Sequence, residues 1–201
     1  MFINPSETEM GNMYKLLIGT VTPRPIAFVT SQDENGNLNA APFAFFNVVC
    51  PEPPMLMISV GKQDGELKDT SSNIIKNKEF VVHIVDESIV KEVVKTGENY
   101  PHDINELEKT TLTTTSSKTV SVPSVKEAKV RYECELVEHL SLGDEKNGTD
   151  MLIGQVKAVY IDDEIYDVEH GYVDVDKLNP ISRVIGNKYV KIGESIEDLL
   201  K

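Results

Sequence analysis

The sequence predicts a mainly β fold with inserted helices, a β-barrel decorated by helices and not a regular βαβ alternation. Three observations predict it. Short runs rich in Ile, Val and Phe recur between turn signals, at residues 25–31, 55–60 and 79–85. Two long strand-like runs, 128–142 and 151–162, flank a turn at 143–148. Stretches of helical periodicity are few, short and placed between strands.

The elements follow in order. Ser6 and Glu9 have capping-box spacing, and Met10, Met13, Tyr14, Leu17 and Ile18 recur at helical intervals. A short amphipathic helix therefore opens the chain, with Gly19 as its stop. After the strand at 25–31, Asp33-Glu34-Asn35-Gly36-Asn37 signals a hairpin, because Asn-Gly tolerates positive φ. Residues 38–49 continue as a strand of small and aromatic residues, in which Pro42 demands an edge or a bulge. Pro51-Glu52-Pro53-Pro54 makes a rigid connection to a buried strand that ends at Gly61. Residues 69–77 read as a helix capped by Asp69, Thr70 or Ser71, with Ile74 and Ile75 facing inward. The strand at 79–85 precedes Asp86, which caps a helix carrying Ile89, Val90, Val93 and Val94 and closed by Gly97. One short helix around 104–109 is expected before the Thr/Ser-rich run 110–119, a surface loop or edge strand. Short strands at 164–168 and near Tyr172, then a helix at 195–200, complete the pattern.

A length of 201 residues suits one domain spanning 1–201. Lys and Arg number 20 against 33 Asp and Glu, a net charge of -13, which opposes binding to nucleic acid or anionic membrane. The charge is uneven: residues 1–83 carry 6 basic and 9 acidic side chains, the remainder 14 and 24. A site for an anionic ligand therefore sits more comfortably in the first part. No apolar stretch approaches the ~20 residues of a membrane span, and the N-terminus lacks the pattern of a signal peptide. A cytoplasmic, reduced chain is expected, since Cys50 and Cys134 form no metal or redox spacing. His83 lies in an apolar strand and reads as a core or interface histidine. There is no dinucleotide fingerprint, phosphate-binding loop, zinc-binding motif, nucleophile elbow or acid–base pair. A bound cofactor can carry the chemistry where such a constellation is missing.

Three segments stand out. Thr22-Pro23-Arg24-Pro25-Ile26-Ala27 places prolines on both sides of an arginine; it reads alternatively as a stiff strand with a solvated arginine. Asn39-Ala40-Ala41-Pro42-Phe43-Ala44-Phe45-Phe46-Asn47 joins small residues to aromatics, or is a barrel strand packing its core. Lys68-Asp69-Thr70 with Asn73 puts a cation, a hydroxyl and an amide at a helix start, a ready phosphate site or an ordinary capped helix. In this order, with Pro51 to Pro54, Glu79 to Val82 and the later run Pro180-Ile181-Ser182-Arg183-Val184-Ile185-Gly186-Asn187-Lys188-Tyr189, they resemble the flavin reductase-like family of FMN-binding split β-barrels. Ala44 departs from a serine frequent in that family.

The resemblance implies a split β-barrel of the FMN-binding type, a homodimer, and FMN near the dimer interface. Arg24, Pro25 and Ile26 would border the flavin, and Asn39, Ala40, Ala41, Pro42, Phe45, Phe46 and Asn47 would meet its ring and ribityl chain. Ser59, Val60 and Gly61 would line the neighbouring strand, and Lys68, Asp69, Thr70 and Asn73 would hold the phosphate end. No residue is assigned as a catalytic acid or base. The leading reading is an oxidoreductase, an NAD(P)H-dependent flavin reductase in which NADH or NADPH passes hydride to the flavin. The alternatives are a flavoredoxin-like electron carrier and a non-enzymatic flavin-binding module. A monooxygenase or electron-transfer protein would be the partner. Pairing of two copies is expected to bury the apolar helix at 89–94 and the aromatic run at 43–46. Arg24 is expected to point at the anionic cofactor, so that its loss would weaken binding and hardly alter folding.

Overall fold

The computed structural model describes residues 1–98, 100–101 and 104–194. The expected helix at 195–200 lies outside the described residues. Seven strands form one antiparallel sheet: β1 (Ala27–Gln32), β2 (Leu38–Phe43), β3 (Phe46–Pro51), β4 (Pro54–Gly61), β5 (Glu79–Ile84), β6 (Val130–Leu142) and β7 (Thr149–Ile161). Their spatial order is β2-β1-β5-β6-β7-β4-β3. The expected continuous strand at 38–49 is therefore two strands at opposite edges of the sheet. Only Ala44 and Phe45 connect them, and that link spans at most about 11 Å. The two edges can be so close only if the sheet curls round, leaving a barrel with a split between β2 and β3. The Ser59 N–H donates to Phe45 O at 2.8 Å and ties the crossing to β4.

Pro42 sits where its missing N–H costs nothing. Ala40, on the same side of β2, directs its N–H away from β1 to Glu106 Oε2 at 2.9 Å, so this side of the strand is the sheet edge. β1 is buried on both faces. Ala27 and Val29 join an inner core with Phe46, Ile58, Val60, Phe80 and Leu152. Phe28 joins an outer core with Ile26, Ile89, Val93, Val125 and Ala128. This is why residues 25–31 read as a continuous apolar run and not as an alternation.

Helix α1 covers Met10–Thr20, α2 covers Asp69–Asn77 and α3 covers Val90–Lys95. α2 packs on β1 and sends Ile74 into the inner core. Several local expectations change. The Ser6–Glu9 capping box is not formed: Asn4 caps a short 3-10 turn at Pro5–Glu7, and α1 has no side-chain cap and runs through Gly19. Asp86 accepts from Ser88 N–H in the turn ahead of α3 and is not the cap residue itself. α2 is capped by none of Asp69, Thr70 and Ser71; Lys68 holds the cap position without a side-chain bond. Ile89 and Val93 lie in the outer core and Phe46 in the inner one, so they offer no surface for a second copy.

His83 is a core histidine. Its Nδ1 lies 2.9 Å from Phe28 O and its Nε2 accepts the Val125 N–H at 2.8 Å. A ring that accepts at Nε2 and faces a carbonyl at Nδ1 is neutral and carries its proton on Nδ1. Strands β8 (Ile181–Arg183) and β9 (Tyr189–Lys191) form a separate small sheet with Arg24–Pro25. Among the described residues, no helix is long and apolar enough to cross a membrane.

Candidate functional site

A cavity of about 380 Å³ opens between the end of β2, the segment leading into α2, the end of α3 and the 3-10 turn at Glu106–Lys109. That volume lies within the range of small-ligand pockets. Asn39, Ala41, Pro42 and Phe43 form the β2 wall, and Lys68, Asp69 and Thr70 form the α2 wall. Gly97 belongs here for a steric reason: a Cβ on it would stand 3.3 Å from Pro42 Cγ, so only a bare backbone closes this corner without displacing the proline.

The α2 wall presents backbone donors at an uncapped helix start. Its first backbone bond runs from Ser72 N–H to Lys68 O at 3.0 Å, and no side chain caps the helix start. The first turn thus presents the positive end of the helix dipole. Asn39 Nδ2 donates to Thr70 Oγ1 at 2.8 Å and to Ser31 Oγ at 3.3 Å, while Asn73 Nδ2 also donates to Ser31 Oγ at 3.3 Å. Because Thr70 Oγ1 already accepts, its own proton is available to a ligand. One turn position further, the buried Ser71 Oγ has no protein partner among the described residues.

Among the described residues, Lys68 is the one cation in the lining, against Asp64, Glu66, Asp69, Glu98 and Glu106. Burial pushes the Glu106 carboxyl above its usual range; the Ala40 N–H pulls it down and the charge of Asp69 adds to the rise. An acidic wall with a single cation binds a phosphate only where the lysine and the helix end converge.

Six of the expected residues line this cavity: Asn39, Ala41, Pro42, Lys68, Asp69 and Thr70. Asn73 supports it from behind through Ser31. Ala40 contributes its N–H to Glu106, and its side chain faces the outer core. Phe46 and Val60 point into the inner core, a consequence of the alternation along β3 and β4. Phe45 at the crossing, Asn47 on β3, and Ser59 and Gly61 on β4 are not among the residues that line the cavity. Pro25 is exposed and Ile26 is buried in the outer core.

Arg24 is the clear correction. It is only 7% exposed, and its guanidinium donates to Ile18 O at 2.6 Å, to Val21 O and to Val184 O at 3.0 Å. It closes the C-terminal end of α1, where helix carbonyls lack partners, and it does not line the cavity. Sequence reasoning missed Glu106 and Tyr100 in the lining. Glu106 carried no local signal at all, because its partner, Ala40, is 66 positions away.

Comparison with known proteins agrees with this fold. The model of the flavin reductase like domain matches residues 19–176. An uncharacterized Bacillus subtilis protein, YwrF, is 49% identical over 183 residues, covering 90% of this chain and 89% of its own. Nitrilotriacetate monooxygenase component B from Bacillus cereus superimposes with a TM-score of 0.95 at 43% identity, covering 98% of each chain. The 2-nitrobenzoate 2-nitroreductase NbaA of Pseudomonas fluorescens gives 0.87 at 33% identity, covering 100% of this chain and 98% of that one. With the split barrel and these matches in agreement, the chain belongs to the flavin reductase-like family and is an oxidoreductase of that type.

Proposed function

We propose that the protein is an NAD(P)H-dependent flavin reductase that binds FMN in the cavity beside α2. The observation that carries this reading is the uncapped start of α2, with Lys68 and the Thr70 hydroxyl, at one end of a cavity whose other wall is the apolar Ala41–Phe43 stretch. The donor set fits one terminal phosphate. The bound flavin supplies the hydride-accepting and electron-donating chemistry. The protein's own part is positional. Thr70 and Lys68 hold the phosphate, and Asn39 fixes the Thr70 rotamer. Ala41 has a side chain short enough for a ring to approach the β2 backbone, and Pro42 and Phe43 keep water from that side. This division of labour requires no acid–base pair.

The partner and the setting follow from the same reading. A homodimer is favoured by apolar side chains left exposed on the barrel: Phe45, Val48 and Val49 at β3, and Val137, Leu140 and Val159 on β6 and β7. The likeness to a monooxygenase component B favours a monooxygenase as the acceptor of reduced flavin. A cytoplasmic setting is part of this proposal; among the described residues no helix is long and apolar enough to cross a membrane. One experiment tests the whole: flavin absorbance of the purified protein, then NADH and NADPH oxidation with and without added free FMN. Pyridine-nucleotide oxidation that requires FMN is the expected result. Bound flavin that neither nucleotide reduces would favour an electron carrier, and no binding of FMN would overturn the reading.

A further inference from the structure

A buried polar seam runs behind the cavity wall where β1, β2 and α2 meet, and Ser31 stands at its centre. Ser31 lies directly across from Asn39 in the β1–β2 register, and α2 packs on β1. Thr70, Asn73 and Asn77 recur at helical spacing on the face of α2 that meets the sheet. Their side chains bond in turn to Asn39, to Ser31 and to the Gln32 carbonyl. Ser31 is 0% exposed, Thr70 2%, and Asn39 and Asn73 8% each. Of these four, Asn39 and Thr70 line the cavity, and Ser31 and Asn73 stand behind it.

The bonds of the seam have a direction. An amide nitrogen carries protons and offers no acceptor site, so Asn39 Nδ2 donates in both of its contacts, to Thr70 Oγ1 at 2.8 Å and to Ser31 Oγ at 3.3 Å. Asn73 Nδ2 donates to the same Ser31 oxygen at 3.3 Å. Ser31 Oγ therefore has both acceptor sites engaged, and the Asn39 amide has both protons engaged. The plane of that amide is fixed by the pair, and Thr70 Oγ1 receives from it. Buried polar bonds of this kind stabilise a fold little more than apolar packing of the same shape. What they supply here is orientation, since an apolar seam would leave the Thr70 hydroxyl equally able to donate or accept.

Resting on the FMN reading above, we propose that Ser31, braced by Asn73, holds the Asn39 amide so that the Thr70 proton is committed to the cavity, and that this makes the site favour FMN over riboflavin independently of charge. Ser31 touches no ligand and is a positioning residue. Above its second pKa, near 6, a phosphate ester has oxygens that only accept, so it pairs with Thr70 only where Thr70 donates. The terminal hydroxyl of riboflavin both donates and accepts, so it gains nothing from a Thr70 fixed in one sense. Lys68 adds a preference in the same direction, but one that salt screens. The seam acts over a single hydrogen bond, and salt leaves its contribution in place.

Flavin fluorescence titration of the full chain with FMN and with riboflavin, at pH 8 and two ionic strengths, tests this. Ser31→Ala is expected to weaken FMN about fivefold and riboflavin by less than about twofold, equally at both salt concentrations. In a Thr70→Val background the same change should have no further effect on FMN, because the hydroxyl it orients is gone. Ser31→Cys, whose sulfur is a weaker acceptor, should fall between Ser31→Ala and the wild type. Asn73→Ala removes one of the two donors to Ser31 and should weaken FMN about twofold to threefold, again only where Thr70 is present. It decides the matter where Ser31→Ala fails to fold. Equal weakening of FMN and riboflavin by Ser31→Ala, or an undiminished effect in the Thr70→Val background, makes Ser31 merely structural and overturns the proposal. Unchanged FMN affinity in Asn73→Ala overturns it too, as does a wild type that binds riboflavin as tightly as FMN. A wild-type chain that binds neither flavin overturns the FMN reading, and this inference with it.

Discussion

At the scale of single residues, Arg24→Ala removes a guanidinium shared by three carbonyls, at Ile18, Val21 and Val184. Those carbonyls stay partly buried, so urea unfolding should show a loss of about 2–4 kcal/mol. FMN affinity should change little, the reverse of what the proline-flanked motif leads one to expect. Prolines restrict the backbone on either side of an arginine, but the length of the side chain lets it reach carbonyls that no local pattern reveals. Lys68 and Thr70 carry the opposite expectation. Lys68→Gln should weaken FMN binding by about 1 kcal/mol, with the difference shrinking as salt is raised. Thr70→Val should cost about 1–2 kcal/mol at any salt, because it removes a hydroxyl donor and leaves Asn39 with Ser31 alone. Flavin fluorescence titration at two ionic strengths separates the two effects.

At the scale of elements, legibility followed the range of the interactions. α2 and β5 appear where the sequence places them, because periodicity and composition are local properties. The caps were not legible. A capping box needs its two residues in one orientation, and the chain ahead of α1 turns as a 3-10 helix instead. The break between β2 and β3 was also hidden: small and aromatic residues continue across it, and only closure of the barrel parts them. Gly154 on β7 gives a test of that closure. A Cβ there would lie 2.4 Å from Phe80 Cζ and 3.1 Å from Cys134 Cβ, inside the inner core. Gly154→Ala should therefore lower thermal stability by about 1–3 kcal/mol through overpacking. Combining it with Phe80→Leu should recover part of the loss.

At the scale of the whole molecule, His83 links the barrel to the segment that covers it, through Phe28 on β1 and Val125 in the 104–128 region. Burial lowers its pKa from 6.5 to about 4, with the charge of Arg131 adding to the fall. In the unfolded chain the ring titrates near its ordinary value, so between these limits the unfolded state binds more protons. The stabilisation is complete above pH 6.5 and is lost as the pH falls towards 4. Its full extent is on the order of 3 kcal/mol. Unfolding free energies measured from pH 8 to 4 should show this slope in the wild type and a flatter one in His83→Gln.

The sequence alone determined the mainly β class, the helix at Asp69–Asn77, the hairpin before β2 and the residues that meet at the start of α2, because each depends on neighbours a few positions away. Tertiary structure alone decided which of the expected residues share a cavity, that Glu106 closes it, that Arg24 serves α1, and that Arg183 stands beside Pro42, Phe43 and Ala44. Those contacts join residues 66 or more positions apart across the sheet edge, or depend on which way a long side chain turns. Their energies arise only once the barrel has closed, so no local pattern encodes them.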